Sequence, residues 1–183
     1  MSQKTKLNKL RNALMKNIEA RANNKKKAAV LVPIFYEKEI GLILVKRTEK
    51  VFRHSGEISF PGGLIEKGET PKEAALREAM EEIGINPKDV EILGFLEPTE
   101  TKSTGFIIYP LVGIVPRNYN FVINKGEVER IIFITISELV KNRKRTILGN
   151  YYKKNGYVIW GATARIIDRL ISIFEKISLM NTF

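Results

Sequence analysis

The sequence predicts an α+β protein in which helices flank a mixed β-sheet. Three observations lead there. Apolar runs of strand length outnumber helical repeats, and most follow one another along the chain. One helical segment interrupts them mid-chain and carries a cluster of acids. Helical repeats also open and close the chain, so helices are available to cover a sheet.

In order, residues 5–22 read as a helix, with Leu7, Leu10, Leu14 and Ile18 spaced by three or four. Asn23, Asn24 and three lysines end it. Residues 28–35 and 40–45 read as strands joined by the polar turn Glu37-Lys38-Glu39. Residues 46–60 suit a loop with short strand pieces. Strands are expected over 90–96, 106–115 and 130–134, then a short helix near 137–141. A short strand over 157–160 precedes a closing helix over 162–177, with Ile166, Leu170, Ile173 and Phe174 as its apolar positions. The expected division is a basic helical extension over residues 1–27 and one folded domain over residues 28–183.

The middle helix is the best specified element. Thr70 suits the cap, Pro71 the first helical position, and Glu73 completes a capping box. Gly84 stands where a left-handed terminal residue is wanted, so the helix is predicted over 71–83. With Glu78 at zero and about 100° per residue, Glu82 lies at about +40° and Glu81 at about −60°. Leu76, Met80 and Ile83 fall between about 140° and 200°, which predicts an apolar face opposite an acidic one. Ala74 and Ala75 lie on the acidic side one turn earlier, where their small size leaves room above the carboxylates. Like charges at this spacing repel. A hard divalent cation with oxygen ligands, such as Mg²⁺ or Mn²⁺, offsets that repulsion and suits phosphate chemistry.

Composition narrows the classes. The chain has 183 residues, enough for one domain with a real core. No cysteine excludes disulfides, thiolate catalysis and cysteine metal sites, and points to the cytoplasm. One histidine, His54, argues against a histidine-based zinc site. No apolar run approaches the length of a membrane span, and the N-terminus lacks the apolar core of a secretory signal. The net charge of +11 is concentrated early: residues 1–30 hold nine Lys or Arg against the single acid Glu19. Such a run attracts anions without reading sequence. No aromatics interleave with it, so single-stranded nucleic acid has no stacking platform there.

Residues Gly63, Glu69, Arg77, Glu78, Glu81, Glu82, Gly84 and Ile85 together resemble the Nudix box, with Ala79 standing where a larger aliphatic is usual. The resemblance implies an α/β/α sandwich, a Nudix domain over 28–183, and hydrolysis of a nucleoside diphosphate linked to another group. It further implies that Glu69 pairs with Arg77 to hold the loop before the helix. Glu78 and Glu82 become the leading metal ligands, with Glu81 contributing and the Gly63 carbonyl a further candidate. Outside the box, three upstream stretches are similar to Nudix coenzyme A pyrophosphatases: residues 43–47 (ILVKR), 54–57 (HSGE) and 60–63 (FPGG). Downstream, so are residues 93–96 (LGFL), Thr99, Thr101, Ser103, Pro110, Glu127-Val128 and residues 159–164 (IWGATA). Phe52 stands where that branch usually has Arg, Val45 where it has Thr, and residues 64–69 follow the general Nudix loop. These departures bear on the substrate, not on the chemistry.

Glu78, Glu81 and Glu127 are the candidates for general base. Arg47 and Arg53 suit phosphate oxygens, because the guanidinium fork matches them. Gly62 and Phe60 complete the expected substrate contacts, and Phe60 or Trp160 offers a ring to adenine. The leading expectation is hydrolysis of coenzyme A to 3′,5′-ADP and 4′-phosphopantetheine. The alternatives are ADP-ribose, NADH or another nucleoside diphosphate derivative as substrate and, in a different class, nucleic-acid binding through the basic N-terminus. A homodimer is implied by resemblance only.

Overall fold

The computed structural model describes residues 3–20, 23–49, 56–101, 105–147, 149–154 and 156–177. The chain runs α1 (Gln3–Ala13), β1 (Lys27–Tyr36), β2 (Ile40–Arg47), β3 (Ile58–Ser59), β4 (Gly62–Leu64), α2 (Pro71–Ile83), β5 (Glu91–Phe95), β6 (Thr99–Glu100) and β7 (Ile107–Ile114). It continues through β8 (Val128–Thr135), α3 (Ile136–Lys141), β9 (Arg143–Thr146), β10 (Gly149–Lys154), β11 (Tyr157–Ile159) and α4 (Gly161–Lys176).

Eight strands form one mixed sheet. Its spine is β3-β2-β1-β7-β5, while β4 pairs with β1, β6 with β7 and β8 with β2. The pairing of β1 with β7 is parallel, from Lys27 opposite Ile107 to Ile34 opposite Ile114. The central strands are apolar on both sides because helices cover both faces. Alternate residues of β1 divide between two cores: Leu31 and Phe35 pack with the residues of α2, Val32 and Ile34 with those of α4. This is the expected α/β/α sandwich. No helix among the described residues is long and apolar enough to cross a membrane.

Besides the short strands β4 and β6, which no expected strand covers, two larger features depart from expectation. The opening helix ends at Ala13 rather than near residue 22. Beyond it the chain is extended, and Met15 exchanges backbone hydrogen bonds with Phe95 at 3.0 and 2.8 Å, at the edge of β5. Leu10 and Leu14 meanwhile pack into the core beside α4, so the basic N-terminal segment is seated on the sandwich. The second departure is a small sheet of order β11-β10-β9, of which only β11 was expected. It is tied to α4 by Tyr152, whose buried hydroxyl donates to Asp168, and by Asn150 Nδ2, 2.9 Å from the same carboxylate. Burial and that carboxylate both raise the pKa of the phenol, keeping it neutral.

Candidate active site

Helix α2 is fixed at both ends by local chemistry. Thr70 Oγ1 accepts from the Glu73 amide at 3.3 Å, and Glu73 Oε2 accepts from the Thr70 amide at 2.8 Å. Gly84 closes the helix at φ 73°, donating to the Met80 carbonyl at 3.0 Å. The bounds and both caps match the sequence reading.

The faces of α2 match only in part: Leu76 and Ile83 are buried as expected, and Met80 is not. Ala74, Ala75, Ala79 and Ile83 are fully buried, whereas Met80 is 55% exposed. The buried arc therefore runs through the alanines, and Glu82 lies inside it with 1% of its side chain exposed. The reason is steric: three alanines let the helix settle close against the sheet, and Glu82 shares their side. Ala79 occupies the core where a larger aliphatic is usual.

Two arginines organise the carboxylates. Arg77 Nε and Nη2 donate to Glu69 at 2.9 and 3.2 Å, and Nη2 also donates to the Leu64 carbonyl at 3.0 Å. Its Nη1 reaches Glu78 at 2.9 Å and Glu81 at 3.1 Å. One guanidinium thus binds the 64–69 loop to the helix, and its hydrogen bond holds the Glu69 carboxyl below the usual range. Arg47, at the end of β2, donates to Glu82 at 2.8 Å and stands 3.8 Å from Glu127. The Gly62 amide also donates to Glu82, at 3.2 Å. Burial nevertheless pushes the Glu82 carboxyl up to about 7, with Arg47 and Gly62 opposing. Burial raises Glu78 as well, against the pull of Arg77.

Gly63 lies against Glu78: a Cβ at residue 63 would sit 2.4 Å from its carboxyl carbon, so any larger residue would displace that carboxylate. Glu127 stands across from the helix, its side chain 44% exposed. Its loop is anchored to the end of α2 by two amides, Val122 to the Ile83 carbonyl at 3.1 Å and Asn124 to the Glu82 carbonyl at 2.9 Å. Sequence reading passed over Asn124 and Thr48. Asn124 Nδ2 donates to Glu127 at 3.3 Å, and the Thr48 amide donates to the Glu127 carbonyl at 2.9 Å. Asn124 also accepts from the Gly126 amide at 3.0 Å. An Asn two residues before a Gly is a local turn signal that marks this loop.

The structure thus brings Glu69, Arg77, Glu78, Glu81, Glu82, Glu127, Arg47, Gly62 and Gly63 to one region. Arg53 and His54 lie outside the described residues. Phe60 is a correction: it is 3% exposed and packs in the core with the residues of α4, so its ring is not presented to a substrate. Among the described residues no three acidic or histidine side chains converge on one point, because Glu78, Glu81 and Glu82 each turn to an arginine. The donors available are all oxygens, two of them on carboxylates whose burial opposes ionisation. That set fits a hard divalent cation, which supplies the compensating charge.

The NUDIX domain model matches residues 25–154. The chain belongs to the Nudix family of hydrolases. Members are pyrophosphohydrolases that use divalent metal ions and act on small nucleotide-derived molecules. This Nudix hydrolase is 34% identical over 158 residues to the uncharacterized Nudix hydrolase NudL of Citrobacter koseri, covering 80% of this chain and 82% of that protein. It is 36% identical over 160 residues to NudL of Klebsiella pneumoniae, covering 81% and 83%. Solved structures share the fold. The Nudix hydrolase RenU of M. smegmatis superposes with a TM-score of 0.62 at 15% identity, over 89% of this chain and 94% of that one. The NUDIX domain of Shewanella oneidensis NrtR, solved in complex with ADP ribose, gives 0.55 at 14% identity, over 94% and 98%.

Proposed function

We propose that this Nudix hydrolase cleaves the diphosphate link of coenzyme A, or of its thioesters, to 3′,5′-ADP and 4′-phosphopantetheine, using Mg²⁺ or Mn²⁺. One observation carries the reading. Arg47 and Gly62, from stretches similar to the coenzyme A branch, both donate to Glu82 of the box. The branch-like residues and the hydrolytic residues therefore belong to one site.

Glu78 and Glu82 would hold the cation, with Glu81 and the Gly63 carbonyl as further ligands. When bound, the cation neutralises phosphate oxygens and lowers the pKa of water. The chain's own residues do the rest. Arg77 keeps the 64–69 loop and two carboxylates in register. Arg47 offers its fork to a phosphate oxygen. Water attacks one phosphorus, its proton passes to a carboxylate, and the bridging P–O bond breaks to leave two phosphate monoesters. Glu127 suits the proton transfer best, since it stands off the helix and is half exposed, with Glu78 and Glu81 as the other candidates. The absence of cysteine accords with a cytoplasmic setting. A homodimer belongs to the reading by family resemblance alone.

The test is parallel incubation with coenzyme A, ADP-ribose and NADH under each metal, with products read by mass. Release of 3′,5′-ADP and 4′-phosphopantetheine, abolished by EDTA, is the expected result. Intact coenzyme A beside cleaved ADP-ribose would move the activity to the second substrate. Retention of RNA at low salt, lost on deleting residues 1–27, would instead favour the nucleic-acid alternative.

A further inference from the structure

Trp160 is the only tryptophan in the chain, and it sits in an unusual place. It is the N-cap residue of α4, at φ −144° and ψ −175°, and its side chain makes no capping hydrogen bond. Ser, Thr, Asp or Asn would stabilise that position, and indole does not. The residue is 55% exposed, although a large aromatic usually finds cover. A residue that neither caps its helix nor fills the core is available to a ligand.

A cavity of about 380 Å³ opens beside it, lined by Lys46, Glu57, Ile58, Tyr157, Val158 and Trp160. One wall is apolar, from Ile58, Val158 and the indole. The other carries one cation and one acid, and Lys46 is already paired with Glu129 at 2.5 Å. A pocket neutral overall gives little attraction to a phosphate. It suits a flat, neutral heterocycle with donors and acceptors on its edge. Lys46 adjoins Arg47 along β2, at a register shift against β8 that interrupts the regular alternation of the strand. The pocket and the Arg47–Glu82 pair therefore meet at one strand end, through residues whose Cα atoms are about 3.8 Å apart.

We infer that the Trp160 pocket is the adenine subsite, in which the indole stacks on the purine of the nucleotide half of the substrate. This rests on the proposed hydrolysis of an adenine-bearing diphosphate. The pantetheine half, flexible and without a ring, gains nothing from a flat indole.

The single tryptophan makes the test direct. Emission of the full-length protein is titrated with 3′,5′-ADP and, separately, with 4′-phosphopantetheine, without metal. Saturable quenching by the nucleotide alone is expected. Trp160→Leu, with an unchanged circular dichroism spectrum, should weaken 3′,5′-ADP binding about tenfold in calorimetry. Unchanged emission with the nucleotide, in a protein that hydrolyses coenzyme A, overturns the subsite and leaves the activity standing. Quenching by 4′-phosphopantetheine alone also overturns it, by giving the pocket to the other half.

Discussion

Helices α2 and α4 cover opposite faces of one sheet, yet they are held by different means. Helix α4 buries Ile166, Ile167, Leu170, Ile171 and Phe174, side chains worth about 1.5–3 kcal/mol each when fully buried. Helix α2 buries three alanines, Pro71, Leu76, Ile83 and one carboxylate, so its apolar contribution is smaller. It has instead a complete capping box, a left-handed glycine terminus and the arginine that binds its preceding loop. Helix α4 has no side-chain cap at all. A helix that must carry charge close to the sheet is fixed from its ends. A helix anchored by its apolar face leaves its end available for Trp160.

The sharpest way to break this comparison is to exchange the kinds of damage. Glu82→Gln should lower turnover by more than the roughly 10–100-fold typical of residues around a metal's own ligands, with the fold intact. Leu170→Ala should do the reverse, costing about 2–5 kcal/mol in denaturant titration while turnover of the folded fraction is unchanged. Equal effects of both on turnover would erase the distinction between the faces.

The pH dependence of the metal-free protein follows. Glu82 is raised to about 7 in the fold, above its ordinary value. Its neutral form is therefore the one the fold accepts. The destabilisation is absent below about pH 4.5, grows as pH rises from there to about 7 and is complete above it, on the order of 3 kcal/mol. Thermal melts in EDTA should show that decline for the wild type and a flatter profile for Glu82→Gln. A wild-type melt that rises across this window would refute the burial argument.

Arg77→Gln should cost about 1–3 kcal/mol, because the largely buried Glu78 loses its cation. Turnover should fall as well, since the 64–69 loop is released. A variant as stable and active as wild type would remove Arg77 from the account. The smallest effects concern the caps. Thr70→Ala should lose about 1 kcal/mol, whereas Trp160→Asp should gain up to about 1 kcal/mol, both read by chemical denaturation. A loss in Trp160→Asp would mean that the indole is structural.

How far these features could be read in the sequence depends on how local their causes are. The bounds of α2 were legible to the residue, because Thr70, Pro71, Glu73 and Gly84 each act within one turn. The link of Glu69 to Arg77 was legible only through the family pattern. The burial of Glu82 was not legible, since it depends on how closely three alanines approach a sheet formed by distant strands. The early end of α1 depends on pairing of Met15 with Phe95, far along the chain. Strand β9, Arg-Lys-Arg-Thr, is exposed on every residue, so no alternation betrays it. The ion pair of Arg47 with Glu82 joins residues 35 apart, and neither carries a local sign of the other.

The central claim is that the carboxylates of α2 form the cation site. Titration of Mn²⁺ by electron paramagnetic resonance tests it without any substrate. The account predicts saturable binding in the wild type and in Leu170→Ala, and much weaker binding in Glu78→Gln and Glu82→Gln. Equal affinity in all four proteins would contradict it.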